Sequence, residues 1–329
     1  MADTIRWGIL GTGAIAHKFA DGLTALPDAE LVAVGSRAQD TADAFAEEHG
    51  VSHRHATYDA LAEDADVDIV YVSTPHPMHK DNSILCLQAG KAVLCEKPFT
   101  INARETEEVI RVAREKKLFL MEAMWTRFLP SFGQVRTWLD EGRIGDIRMV
   151  QANFGYRADL NPEGRLFNPE LGGGGLLDVG IYTVSLASFI FGEPPADISG
   201  FADIGETGVD EQSVTAFRYP GGNLALLSCA VRTNTPYGAH IFGTEGTITL
   251  DHPVWRGAPV TLSVQGEEAI TADLPREGNG YNYEAAAVMT CLRAGELESK
   301  VMPLDESLEI MRTLDRIRAQ WGLVYPMEL

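Results

Sequence analysis

The chain is predicted to be an α/β protein, with a doubly wound parallel sheet in its first part and an α+β domain built on a large, mainly antiparallel sheet in the rest. Three observations predict it. Short apolar runs alternate with helical periodicity up to residue 123. A Gly-x-Gly loop, Gly11-Thr12-Gly13, follows the first of these runs. Beyond Trp125, apolar residues alternate with polar ones between tight turns.

The first domain is assigned to residues 1–123, with strands expected at 6–10, 31–35, 69–73, 92–95 and 119–123. Helical patterns fill the gaps. Phe45 and Ala46 follow Ala42 at helical spacing, and Gly50 suits a left-handed cap; Gly90 ends the run of Ile84, Leu85 and Leu87 in the same way. Asn102 with Glu105 resembles a capping box that opens the helix of Val109, Ile110, Val112 and Ala113. The second domain, 124–329, has strands expected at 147–156, 213–219, 223–231, 247–250 and 260–264, with hairpin turns at 219–223 and 243–246. Leu304, Leu308, Met311, Leu314, Ile317 and Trp321 form an amphipathic helix, 304–321, ended by Gly322, that could return to the first domain.

A chain of 329 residues, 45% hydrophobic and 8% aromatic, can bury two cores. Its net charge of −20 argues against duplex DNA and anionic membrane surfaces as partners, since both need clustered Lys and Arg. The same charge repels an anionic cofactor, so local groups must attract it. Cys86, Cys95, Cys229 and Cys291 lack Cys-x-x-Cys spacing and read as reduced, buried thiols. No basic segment leads an apolar run, and no apolar run approaches the roughly 20 residues of a membrane span, so a cytoplasmic protein is expected.

Two motifs carry the chemistry. Gly11 permits a tight turn, Gly13 lets the backbone approach a pyrophosphate, and Ala16 lets helix and strand pack closely. Gly11, Thr12, Gly13, Ala14 and Ile15 therefore read as a dinucleotide loop at a helix N-terminus. Ala92-Val93-Leu94 runs into Cys95-Glu96-Lys97-Pro98, which sets an ammonium at a strand end, as alcohol-to-carbonyl chemistry beside a nicotinamide requires. The end of the second strand selects the cofactor: an acidic residue there holds a free ribose 2′-hydroxyl, whereas arginine accommodates a 2′-phosphate. Here it ends Gly35-Ser36-Arg37, with no carboxylate before Asp40. That favours NADP over NAD, unless Arg37 is only a solvated surface residue.

The glycine loop, Ser73-Thr74-Pro75-His76-Pro77-Met78-His79, Gly90-Lys91, Glu96-Lys97-Pro98 and residues 172–182 together resemble the glucose-fructose oxidoreductase, inositol dehydrogenase and MocA (Gfo/Idh/MocA) family, over nearly the whole chain and in the right order. Met121-Glu122-Ala123-Met124-Trp125-Thr126-Arg127-Phe128 is similar to its dimeric dihydrodiol dehydrogenase branch, also described as NADP-dependent D-xylose 1-dehydrogenase. The resemblance implies that Lys97 is the catalytic lysine. It also implies that Tyr182, ending Asp178-Val179-Gly180-Ile181-Tyr182 where many members have histidine, transfers the proton. It implies cofactor contacts from Thr74, Pro75, His76, His79, Glu96 and Lys97, and substrate contacts from Trp125, Arg127, Phe154 and Trp255. Thr41 stands where the branch can have a second arginine for the 2′-phosphate. A homodimer through the antiparallel sheet of the second, substrate-binding domain is implied as well.

Oxidising an alcohol needs a base for the hydroxyl proton as hydride leaves. A phenol of pKa about 10 needs help at neutral pH, and a nearby ammonium favours its phenolate. Tyr182 is thus expected as the acid/base, Lys97 as its electrostatic partner, and Asp178 as the group orienting the substrate hydroxyl or the lysine. The residues alone also allow Tyr182 to be a core aromatic and Asp178 a helix cap, and Trp125, Phe154 and Trp255 to be core residues. No metal is expected: His76 and His79 are too few ligands, and His53 and His55 are read as pointing to opposite faces of an extended segment. The expected reaction is reversible, NADP-linked oxidation of an aldose such as D-xylose or of a trans-dihydrodiol, in a pocket between the domains. Rival readings are a reductase of 1,5-anhydrofructose or other keto-sugars, a sugar–sugar oxidoreductase or glycoside-cleaving enzyme with a tightly held cofactor, and a non-catalytic NAD(P)-binding regulator.

Overall fold

Apolar runs that are not relieved by polar residues can be strands only where both faces are covered, and most of the first sheet is made of such runs. The structure, a computed structural model, describes residues 4–329. β1 (Ile5–Leu10), β2 (Ala29–Gly35), β3 (His53–His55), β4 (Ile69–Val72), β5 (Ala92–Glu96) and β6 (Leu120–Ala123) pair in parallel in the order β3-β2-β1-β4-β5-β6. The order reverses between β1 and β4, the switch point of a doubly wound sheet. Helices α1 (Ala14–Leu23), α2 (Gln39–His49), α3 (Tyr58–Ala62), α4 (His79–Gln88) and α5 (Ala103–Lys116) connect the strands, and Leu61, Leu87 and Val109 share a core with Leu10, Val70, Val93 and Leu120. Local punctuation acts as its chemistry dictates: Gly50 closes α2 at φ +71, and the Asn102 side-chain oxygen accepts the Glu105 N–H at 3.0 Å where α5 begins.

β3 is His-Arg-His at the sheet edge, a strand too polar and too short for the apolar pattern to reveal. It also corrects the expectation that His53 and His55 diverge. Residues two apart on a strand share a face, and both rings reach the same Asp64 oxygen, at 2.7 and 2.8 Å.

The second unit comprises 129–276 and 309–329, whereas 277–308 belongs to the first. After α6 (Pro130–Asp140) come β7 (Ile147–Gly155), α7 (Ile181–Phe191), β8 (Asp197–Ile204), β9 (Asp210–Arg218), β10 (Leu224–Ala230), β11 (Ala239–Gly243), β12 (Gly246–Leu250), β13 (Val260–Val264) and β14 (Ile270–Ala272). The strands form one sheet, β14-β13-β12-β11-β7-β10-β9-β8, antiparallel throughout except for the central β7–β10 pair. α7 packs on β7 and β10. On β9, Ser213, Thr215 and Phe217 are buried while Val214, Ala216 and Arg218 face outward. β8 and β14, the sheet's edges, have no fully buried residue, and for that reason no apolar pattern announces them.

One expectation is overturned outright. The 23-residue stretch Pro169–Phe191 is long and apolar enough to cross a membrane by length and composition, although glycines interrupt its start; 83% of its most apolar window is buried inside the fold, as in the core helix of a globular unit. In the first unit α8 (Tyr281–Ala294) packs on α1, and α9 (Leu304–Trp321) begins there and ends in the second unit, where Gly322 closes it at φ +67. All four cysteines are buried and free, and burial pushes the thiols of Cys86 and Cys291 up to about 12 and 11.

Candidate active site

Gly11 sits at φ +99, where a Cβ would stand 3.1 Å from the Ser73 carbonyl oxygen. Gly13 is exposed, with nothing within 4 Å of its own Cβ position. Gly13 is the N-cap of α1 and no side chain caps that helix, so the first turn, beside Thr12, Ala14 and Ile15, keeps its N–H groups for a ligand. These features fit a pyrophosphate. At the end of β2 the buried Ser36 hydroxyl lies 2.6 Å from that of Thr41, which donates in turn to the Ala38 carbonyl at 2.9 Å. Arg37 is exposed and makes no ion pair among the described residues.

The Thr74 hydroxyl, next to Pro75, accepts from the Asn82 side chain at 3.0 Å. His76 is buried, and the fully buried His79 imidazole lies 2.8 Å from both the Thr74 and the Pro98 carbonyl oxygens, linking the loop after β4 to the loop after β5. Burial pushes its pKa down against the pull of these two acceptors. Glu96 accepts from the Tyr71 hydroxyl and, at 3.2 Å, from the N–H of the half-buried Lys97. Trp125 stacks on Tyr281 with ring centroids 4.6 Å apart. The Arg127 side chain is 2% exposed, its guanidinium 2.7 Å from Glu306.

In the second unit, Gly172 and Gly174 take φ +65 and +113, a Cβ on Gly173 would come within 2.8 Å of the Leu166 carbonyl oxygen, and one on Gly174 would collide with the Asp210 carboxylate. Asp210 accepts the Leu176 N–H at 2.7 Å, and the Tyr325 hydroxyl donates to the Gly173 carbonyl at 2.6 Å. From this anchor the chain enters a π-helical turn, Leu176–Gly180, that runs into α7. Asp178 and Tyr182 lie four residues apart on this segment, on one side of it. Asp178 caps no helix. Its carboxylate accepts from the Tyr156 hydroxyl at 2.8 Å and pairs with Arg165 at 2.9 Å.

The Tyr182 ring meets Phe154 and Trp255 at centroid distances of 5.4 and 5.7 Å; those two stack on each other at 5.5 Å, and Tyr237 packs on Phe154 at 5.0 Å. The structure thus joins Phe154, Tyr182 and Trp255 in one aromatic wall beside Asp178, while Trp125 and Arg127 belong to the first unit. Asn153, Tyr156, Arg165 and Tyr237 are missed by sequence reasoning. The Asn153 side chain donates to the Gly238 carbonyl at 3.2 Å and accepts the Tyr237 N–H at 3.0 Å, which holds Tyr237 at φ +53; its own carbonyl accepts the Trp255 indole N–H at 3.4 Å. Only the Pro236-Tyr237-Gly238 turn hinted at any of this. Burial, reinforced by Asp178, pushes the Tyr156 phenol well up, and burial raises Tyr237 against the opposing Arg256, so both stay protonated donors at neutral pH.

Residues 5–124 match the profile of an oxidoreductase family with an NAD-binding Rossmann fold, and residues 132–249 that of the GFO/IDH/MocA C-terminal domain. A trans-1,2-dihydrobenzene-1,2-diol dehydrogenase of Mus musculus is 40% identical, covering 98% of this chain and 99% of its own; that of Homo sapiens is 39% identical over the same shares. KijD10, a 3-ketoreductase from Actinomadura kijaniata solved with NADP and TDP-benzene, has a TM-score of 0.85 at 28% identity, over 96% of this chain and 98% of that one. An aldose-aldose oxidoreductase from Caulobacter crescentus shares the fold, with a TM-score of 0.89 at 24% identity over 97% and 98% of the two chains.

Proposed function

Because the chain belongs to the GFO/IDH/MocA oxidoreductase family, we propose that it moves hydride between NADP and a secondary alcohol or hemiacetal hydroxyl, of an aldose such as D-xylose or of a trans-dihydrodiol. The observation that carries this reading is Tyr182 set against the stacked rings of Phe154 and Trp255, with Asp178 one turn before it. Aromatic faces suit the flat, apolar side of a sugar or cyclic diol, and a few polar groups fix its orientation. Relatives spanning the whole chain are named for a trans-dihydrodiol, which supports the second substrate class.

Ser36 and Arg37 hold the 2′-phosphate and the Gly11–Ile15 loop the pyrophosphate; the bound nicotinamide supplies the hydride acceptor. Tyr182 takes up the hydroxyl proton in oxidation and returns it in reduction; Lys97 is the ammonium expected to favour a phenolate in that role. Asp178, steadied by Tyr156 and Arg165, orients the substrate hydroxyl. Arg127 is engaged by Glu306 and takes no substrate role in this reading. Reversibility makes a keto-sugar reductase the second reading, favoured by the 28% identity to a 3-ketoreductase.

Tyr182→Phe should lower turnover by about 10²–10⁴-fold, the usual share of acid–base catalysis, while NADPH still binds. A fully active variant would remove Tyr182 from the mechanism. A panel of pentoses, hexoses, keto-sugars, anhydro-sugars and arene diols, run with NADP and with NAD, selects among the substrates. We also propose a homodimer through the outer face of the second sheet, where Phe201, Val214, Leu224 and Leu226 are exposed.

A further inference from the structure

One turn beyond the glycine loop, where the His17 N–H donates to the Gly13 carbonyl at 3.4 Å, two imidazoles and a carboxylate converge between α1 and α2. His17 Nδ1 lies 2.9 Å from His49 Nε2 and 3.3 Å from Glu48 Oε1, and His49 Nε2 lies 3.8 Å from the same oxygen. Zinc bonds of about 2.0–2.1 Å in a tetrahedron set ligand atoms about 3.3–3.4 Å apart, the middle of this range. Hydrogen bonding satisfies the trio poorly. With both rings neutral, only one of the two facing nitrogens can carry a proton without an N–H clash, and one proton cannot serve all three atoms.

The rings are already braced. Phe45 packs against His17 at 4.7 Å and His49 at 4.6 Å between centroids, and the His49 side chain is only 8% exposed. Glu48, 61% exposed, leaves the remaining coordination position open to water. The other nitrogen of His49 lies 3.8 Å from Asp21, a carboxylate on the side from which outer-sphere groups fix the ring of a metal-bound histidine. We propose that His17, Glu48 and His49 bind a divalent ion of the zinc class through two nitrogens and one oxygen, with water completing the tetrahedron. Sequence spacing hides the site because His17 and His49 are 32 residues apart. His53, His55 and Asp64 also cluster, but there both nitrogens already share one Asp64 oxygen while the other accepts the Asp66 N–H at 2.9 Å, a closed clasp that serves as the control.

The test uses the untagged full chain, stripped by chelator and titrated with ZnCl2 by calorimetry and with CoCl2 by visible absorption. One equivalent should bind, with the intense bands of tetrahedral cobalt. His17→Gln and Glu48→Gln should each weaken binding by at least the roughly 10–100-fold that outer-shell changes cost, and His53→Gln should leave it unchanged. Glu48 is exposed, so Glu48→Gln keeps the fold even where a histidine variant does not; circular dichroism of the metal-free chains checks this. No uptake by the wild type, uptake that survives the Glu48→Gln substitution at full affinity, or uptake lost in His53→Gln overturns the proposal.

Discussion

The proposed NADP preference turns on Arg37, because among the described residues no ion pair competes for its guanidinium and the nearby Ser36 and Thr41 offer only hydroxyls. Hydrogen bonds to a charged group contribute about 1.5–3 kcal/mol, so Arg37→Ala should raise the Kd of NADPH about 10–100-fold and leave that of NADH nearly unchanged, as read by fluorescence titration. An equal loss for both cofactors would make Arg37 a structural residue. Lys97 and Tyr182 were legible in the sequence through motifs that resemble the family's, and Arg37 through its place at the end of β2, because each stands in a short local stretch of sequence. Tyr156 and Arg165 were not, since their partner Asp178 lies 22 and 13 residues along the chain and only the path of the 156–168 loop brings them to it. Asn153 was hidden in another way: its effect passes through the backbone of Tyr237 and the indole of Trp255, which no local pattern encodes.

The segment from Gly172 to Tyr182 works as one element, and Asp210 is its foundation. Burial pushes this carboxyl up to about 7, against the pull of the Leu176 and Gly175 N–H groups. Its folded pKa therefore lies above its unfolded value of about 3.9. The native state binds the extra proton between those values, so the stabilising contribution is full at low pH and is lost as pH rises from about 4 to about 7. Asp210→Asn keeps an acceptor for Leu176 and cannot ionise; its Tm should fall less than that of the wild type between pH 5 and pH 8. Some fall remains, because burial also pushes Glu122 up to about 7. An unchanged pH profile would mean that Asp210 does not titrate in this window. At this scale the sequence disclosed strands with covered faces, such as β4 and β5, and helices with clear caps, such as α2 and α5. It concealed β3, β8 and β14, since edge strands bury too little to leave an apolar signature, and also β11, an interior strand of five residues in which only Ala239 and Ile241 are fully buried.

Two molecules carrying −20 each repel at long range, so any self-association must use a surface poor in charge. The outer face of β8, β9 and β10 is such a surface. Phe201, 79% exposed, pairs across to Val214, and the exposed Leu226 pairs with Ala216, while Arg218 and Asp197 neutralise each other at the rim. A two-fold contact would cover the same patch on both copies, and standard interfaces bury about 800 Å² per partner, within reach of a three-strand face. Phe201→Glu combined with Leu226→Lys should therefore give a monomer in sedimentation equilibrium, with circular dichroism unchanged. Ile270→Lys, on the distant edge strand β14, should leave the dimer intact. Turnover per chain should survive the split, because Phe154 lies on the opposite face of the sheet, toward α7 and Tyr182. A wild type that is monomeric at every concentration, or a double variant that stays dimeric, rejects this face. Loss of turnover together with dissociation would instead show that pairing braces β7, and through it the aromatic wall.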